Sequence, residues 1–111
     1  MHAANPAIIA AEETVGVVQG LTVELEVYVS GFPTPTSSQI TWYRPDGSTI
    51  SNNDPGMVFQ DGRRRLIISN VQSTQAGLYE CEVLLSPSPP MLATTSIMLQ
   101  VYGELIHILN T

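Results

Sequence analysis

The sequence predicts an all-β sandwich, two antiparallel sheets packed face to face. Three observations lead there. Apolar and polar residues alternate with period two in several short segments. Gly, Pro, Asn, Asp and Ser interrupt those segments about every 8–12 residues, the spacing of sandwich strands. No segment sustains helical periodicity, and no internal repeat is present.

Each element follows in order. In "LTVELEVYV", Val23, Leu25, Val27 and Val29 share one face and Thr22, Glu24, Glu26 and Tyr28 the other, as in a half-buried strand. "SGFPTPTSS" is a loop by its glycine and prolines. "QITWYR" is the next strand, with Ile40 and Trp42 inward and Thr41 and Tyr43 outward. "PDGSTISNNDPG" is turn-rich, with room for a short strand at Ser48 to Ser51. "MVFQDGRRRLIIS" reads as a hairpin closed by Asp61-Gly62, a favoured turn pair, with Leu66 and Ile68 inward. "NVQSTQAG" has room for one helical turn. "GLYECEVLL" and "TTSIMLQVYG" are the last two strands, joined by a loop stiffened by Pro87, Pro89 and Pro90.

The bulk properties narrow the function. The chain has 111 residues, 43% of them hydrophobic, with no break in composition, so one domain with its own core is expected. That domain spans 1–102, and residues 103–111 ("GELIHILNT") form an extension or linker. Ten acids against four arginines, with no lysine, give a net charge of -6. Such a surface repels nucleic acid and anionic lipid, so neither is expected as a partner. One cysteine, Cys81, excludes an internal disulfide. No apolar run approaches the roughly 18 residues of a membrane span. "MHAANPAIIAAEE" lacks the basic start and long apolar core of a signal peptide.

Trp42 followed by "LIISNVQSTQAGLYEC" resembles the immunoglobulin fold, which places a buried tryptophan on strand C and Tyr-x-Cys on strand F. Those residues are Trp42, Tyr79 and Cys81. "GLTVELEVYVSGFPTP" and "ITWYRPDG" are similar to strands B and C of the intermediate class found in adhesion molecules and receptor ectodomains. The likeness covers about Pro6 to Tyr102. It implies a Greek-key sandwich with a structural core that includes Val27, Trp42, Leu66, Ile68, Tyr79 and Cys81. It also implies that the missing cysteine belongs four residues before Gly31, at Val27. A Val27–Cys81 contact then stands where relatives carry a bridge. The family's aspartate at the position of Gln75, and the arginine it pairs with near Met57, are both absent. The tyrosine corner, with the Tyr79 hydroxyl bonded to upstream backbone, should remain.

Chemistry has little support. His2 and His107 belong to no ligand-spaced cluster, and the acids of "NNDPGMVFQDG" lack the spacing of a calcium loop. No metal, cofactor or catalytic residue is expected. Cys81, inward beside Trp42, should be an inert thiol with a raised pKa. Glu24 and Glu26 lie on a different sheet from Glu80 and Glu82. Arg63, Arg64 and Arg65 form the sole basic cluster, and cross-strand pairs of Arg63 or Arg65 with Glu24 or Glu26 are expected, with an anionic-ligand patch as the alternative. Asn5, Asn52, Asn53 and Asn70 all fail the glycosylation rule.

What remains is recognition. Parity assigns Thr41, Tyr43, Glu80, Glu82, Leu84, Met98, Gln100 and Tyr102 to the outward face of the sheet made by strands G, F and C. Tyr, Leu and Met beside glutamates suit a protein interface. The proline loop is a second candidate contact. The resemblance implies a non-enzymatic module in the extracellular part of a cell-surface receptor or adhesion protein. Its partner is a protein, a second copy of the chain included. The alternative is a cytoplasmic spacer and docking domain of a cytoskeletal scaffold.

Overall fold

The computed structural model describes residues 7–103. His2, Asn5, His107 and all of the 103–111 extension beyond Gly103 lie outside the described residues. In chain order the strands are β1 (Ile8–Ala10), β2 (Thr14–Val18), β3 (Val23–Val29), β4 (Ile40–Tyr43), β5 (Met57–Gln60), β6 (Arg65–Ile68), β7 (Gly77–Pro87) and β8 (Pro90–Tyr102). They form two four-stranded sheets, β1-β3-β6-β5 and β2-β8-β7-β4. The chain changes sheet at β1–β2, β2–β3, β3–β4, β4–β5 and β6–β7, which produces the expected Greek-key sandwich. No helix among the described residues is long and apolar enough to cross a membrane.

The period-two pattern explains the packing. β3 pairs with β6 in the register Val23↔Ile68 and Leu25↔Leu66, so the inward rows of both strands face the second sheet together. β4 answers with Ile40 and Trp42, and β7 with Tyr79, Cys81 and Val83; all are buried. Trp42 lies opposite Cys81 in the β4–β7 ladder. Val27 is buried in the same cluster. The indole Nε1 of Trp42 donates to the backbone oxygen of Arg63 at 2.7 Å. That carbonyl belongs to the β5–β6 turn, so the bond satisfies the buried ring and ties one sheet to the other.

Two segments carry local constraints. The hydroxyl of Tyr79 donates to the carbonyl of Gln75 at 2.6 Å, the expected tyrosine corner. It sits after a single 3-10 turn, Ser73–Gln75, the one turn that "NVQSTQAG" has room for. Gly77 follows with φ +139°, and a Cβ there would lie 2.8 Å from the Pro45 ring. Only glycine meets both conditions.

Five features differ from the sequence reading. β1 and β2 were not expected as strands. Both are short, and β2 pairs in parallel with β8, Thr14↔Met98 to Val18↔Tyr102, so one ladder of the sandwich is not antiparallel. The β5–β6 turn is longer than Asp61-Gly62. Asp61, Gly62 and Arg63 all take left-handed φ, and β6 begins only at Arg65. The proline loop is hardly a loop: β7 runs to Pro87, β8 starts at Pro90, and Ser88 with the cis-linked Pro89 makes the turn. Prolines at a strand's last and first positions interrupt no ladder bond, so the ribbon continues through them. Finally, the "SGFPTPTSS" loop ends in a 3-10 turn, Ser37–Gln39. The Ser48 to Ser51 strand reduces to one bridge, Tyr43↔Thr49.

Candidate protein-interaction site

The site is built on the outward face of the β2-β8-β7-β4 sheet. Three ladders set its rows. Tyr43 stands beside Glu80 and then Ser96; Thr41 beside Glu82 and then Thr94. Leu84 stands beside Leu92, and Leu78 beside Met98 and then Thr14. Gln100 and Tyr102 continue the face along β8, and the Tyr102 hydroxyl donates to Gln100 Oε1 at 2.8 Å. Glu80, Met98, Gln100 and Tyr102 are exposed; Thr41, Tyr43, Glu82 and Leu84 are half-buried.

Tyr43 is held in place. Its hydroxyl donates to Glu82 Oε1 at 3.2 Å. Partial burial, and then the glutamate it binds, raise its pKa above the ordinary tyrosine value. It is therefore a neutral donor at physiological pH. Leu78, Leu85, Met91 and Leu92 are exposed as well and were not picked out from the sequence. Leu78 and Leu92 have the same parity as Met98 and Leu84, so counting twos further along each strand finds them. Leu85 and Met91 flank an irregularity between Leu84 and Ser86, which shifts parity and hides them from such a count. Pro87, Pro89 and Pro90 are exposed at the hairpin tip, continuous with these residues.

The basic cluster is dispersed. Arg65 reaches Glu24 with Nε at 2.5 Å and Glu26 with Nη2 at 3.1 Å. The Glu26 contact is a hydrogen bond; the Glu24 contact is close but poorly aligned, an ion pair only. Arg63 makes neither of the pairs expected of it, because the longer turn removes it from the strand. It lies 5.0 Å from the Phe59 ring centroid and donates to the Ile40 carbonyl at 3.3 Å. Arg64 donates to the Pro35 carbonyl at 2.7 Å. Arg44 pairs with Asp54, whose carboxyl is held below the usual range by the Ser51 amide and by that guanidinium. Met57 and Gln75 line one depression of about 180 Å³ where the family's ion pair would fall. Gln75 uses its side-chain oxygen to accept from the Gln72 amide at 2.7 Å.

Nothing among the described residues assembles a catalytic set. Cys81 is buried, and burial pushes its thiol up to about 12. No group of three His, Cys, Asp or Glu residues is placed to hold a metal ion among the described residues. Glu24 and Glu26 line a depression of about 140 Å³ with Glu12, and both carboxylates are engaged by Arg65.

Comparison with known proteins decides the family. The family profile described as "Immunoglobulin domain" matches residues 5–84. The chain is an immunoglobulin domain. It is 38% identical over 63 residues to mouse vascular endothelial growth factor receptor 2, which is 57% of this chain and 4% of the receptor. It is 40% identical over 74 residues to human contactin-4, 62% of this chain and 6% of that protein. Mouse hemicentin-2 matches at 33% identity over 99 residues, 87% of this chain and 2% of that protein. The chain thus spans only a few per cent of the curated relatives it matches. Among solved structures, the first immunoglobulin domain of mouse SynCAM 2 superposes with a TM-score of 0.68 at 20% identity. It covers 86% of this chain and 96% of its own, and shows the fold alone. Titin domains Z1Z2, solved in complex with telethonin, superpose with a TM-score of 0.67 at 31% identity, covering 92% of this chain and 51% of theirs. As an immunoglobulin domain, it resembles modules of receptors and adhesion proteins.

Proposed function

We propose that this domain is a recognition module of a cell-surface receptor or adhesion protein, and that it binds a protein partner through the outward β2-β8-β7-β4 face. The carrying observation is the composition of that face. Tyr43, Leu78, Leu84, Leu92 and Met98 lie together with Glu80 and Glu82, and no arginine points into them. Exposed apolar residues rimmed by charge mark contact surfaces. The kinship to a growth factor receptor and to contactin-4 supports a place in such a protein.

Fluorescent tetramers of the domain, applied to a panel of animal cells, test this. Wild-type binding that Tyr43→Glu removes supports the face. Equal binding by both proteins, or binding by neither, counts against it. Tyr43 is half-buried beside Glu80 and Glu82, so the Tm of the variant is measured alongside, with a stability change of about 1 kcal/mol expected.

A second reading has its own observation. The 31% identity to titin domains over 92% of the chain, with Cys81 unpaired, favours a spacer of a cytoskeletal scaffold. An antibody to the domain, applied to intact and to permeabilised cells carrying the full-length protein, separates the two. Staining of intact cells supports the surface reading.

A further inference from the structure

We infer that Thr34, in the loop between β3 and β4, is an acceptor for mucin-type O-glycosylation and takes N-acetylgalactosamine from a nucleotide-sugar donor. The inference rests on the surface reading above only for the compartment in which that transfer happens. The acceptor itself is read from the loop.

The loop presents Thr34 on a short extended stretch. Thr34 stands between Pro33 and Pro35. A proline ring fixes its own φ near about -65°, and a residue before proline is confined to extended conformations. Thr36 lies in the same region, with φ -93° and ψ 169°. Residues 33–36 therefore run extended without belonging to a strand. The far end of the stretch is anchored. Pro35 is buried, and its carbonyl accepts from Arg64 Nη2 at 2.7 Å. The Thr36 amide donates to Gln39 Oε1 at 2.9 Å, and Gln39 Nε2 donates to the Leu84 carbonyl at 2.8 Å. Thr34 itself is exposed, as are Phe32 and Pro33 before it. Among the described residues, neither its hydroxyl nor its amide has a hydrogen-bond partner.

The competing hydroxyls fail one of these conditions. Thr36 and Ser38 share a hydrogen bond at 3.0 Å, and Ser48 and Ser51 bind Asp46 and Asp54. Thr14 and Thr94 belong to strands. Thr22, Thr49 and Thr74 have no proline on either side. Ser88 does lie between prolines, but the Pro87↔Pro90 pair closes a two-residue turn around it, so the chain reverses there.

Glycosyl transfer needs a segment of this kind. The transferase must hold several residues of extended backbone and bring one hydroxyl to the sugar's anomeric carbon. Flanking prolines lower the cost of ordering that backbone, and Ser or Thr among prolines is the composition of O-glycosylated segments. Thr34 Oγ1 forms a bond to C1 of the sugar as the bond from C1 to the diphosphate oxygen breaks. UDP leaves with that electron pair, and the hydroxyl proton goes to the departing diphosphate. The sugar would stand at the hairpin end of the face proposed above. Gln39 fixes the loop beside Leu84, whereas Tyr43 stands beside Glu80, four residues or about 13 Å further along β7.

The domain made in bacteria, incubated with UDP-N-acetylgalactosamine and a mixture of recombinant polypeptide N-acetylgalactosaminyltransferases, tests the inference by intact mass and fragment spectra. The expected result is one added N-acetylhexosamine, located on Thr34. Thr34→Val should take none and keep its Tm; Ser88→Ala should still be modified. A wild-type domain that gains no sugar overturns the inference, and so does a sugar found on another residue in place of Thr34. A synthetic peptide of residues 29–39 that is modified while the folded domain is not overturns it as well, because the fold is what presents the site. The staining of intact cells described above is independent of this assay. Transfer to Thr34 with no such staining upholds the acceptor and overturns the surface reading; staining with no transfer does the reverse.

Discussion

Replacing Val27 by cysteine should restore a bridge to Cys81. The two residues occupy the core from opposite sheets, and both are buried. By the resemblance, position 27 is where relatives carry a second cysteine. The bridge would close a loop of about 54 residues, and chain entropy alone puts its contribution near 4 kcal/mol. The valine methyls lost offset this by about 1 kcal/mol. The net gain is then about 3 kcal/mol, or roughly 15 °C in Tm for a domain of this size. Thermal melts with and without reductant measure it. Oxidised Val27→Cys should melt well above wild type and fall slightly below it on reduction. Wild type should ignore reductant altogether. If both thiols of the folded variant still titrate after oxidation, or if oxidation leaves Tm unmoved, Val27 does not stand opposite Cys81 and the account of the core is wrong.

Two more outcomes follow from the same core. Tyr79→Phe removes the hydroxyl that binds the Gln75 carbonyl and should cost about 1 kcal/mol by urea denaturation, with little change in m-value. Stability should also fall as pH rises from about 9 towards about 12. The Cys81 thiol titrates near 12 when folded against 9.0 in a free chain, so over that window the unfolded state releases a proton that the folded state keeps. Burial raises the Tyr79 pKa as well and acts in the same direction. Denaturation in this range should show a shallower decline for Cys81→Val.

Much of this could be read from the chain because the deciding signals are local. Alternation along β3 separates Val23, Leu25 and Val27 from Glu24 and Glu26, and the observed register keeps that separation. The Tyr79 corner reaches back only four positions, to Gln75. What escaped depends on distant partners. β2 is a five-residue strand with Gly16 at its centre, and it exists because β8 offers it a parallel edge more than eighty residues away. Arg63 looked like a strand residue until three left-handed backbone angles lengthened the turn and swung it over Phe59. Leu85 and Met91 surfaced through a ladder irregularity that no count of twos reveals.

The arginines have a consequence for how copies of this protein meet. Each of the four is spent within its own fold: on Asp54, on Glu24 and Glu26, or on the backbone of Ile40 and Pro35. Arg63 and Arg64 keep their charge, but ten acids against four arginines leave the chain at -6, so two molecules drifting together repel on balance. Added salt weakens that repulsion while leaving short apolar contacts nearly untouched. Contact between copies should tighten as ionic strength rises, the reverse of what a salt-bridged pair would do. Dilute buffer is where this molecule would be most solitary.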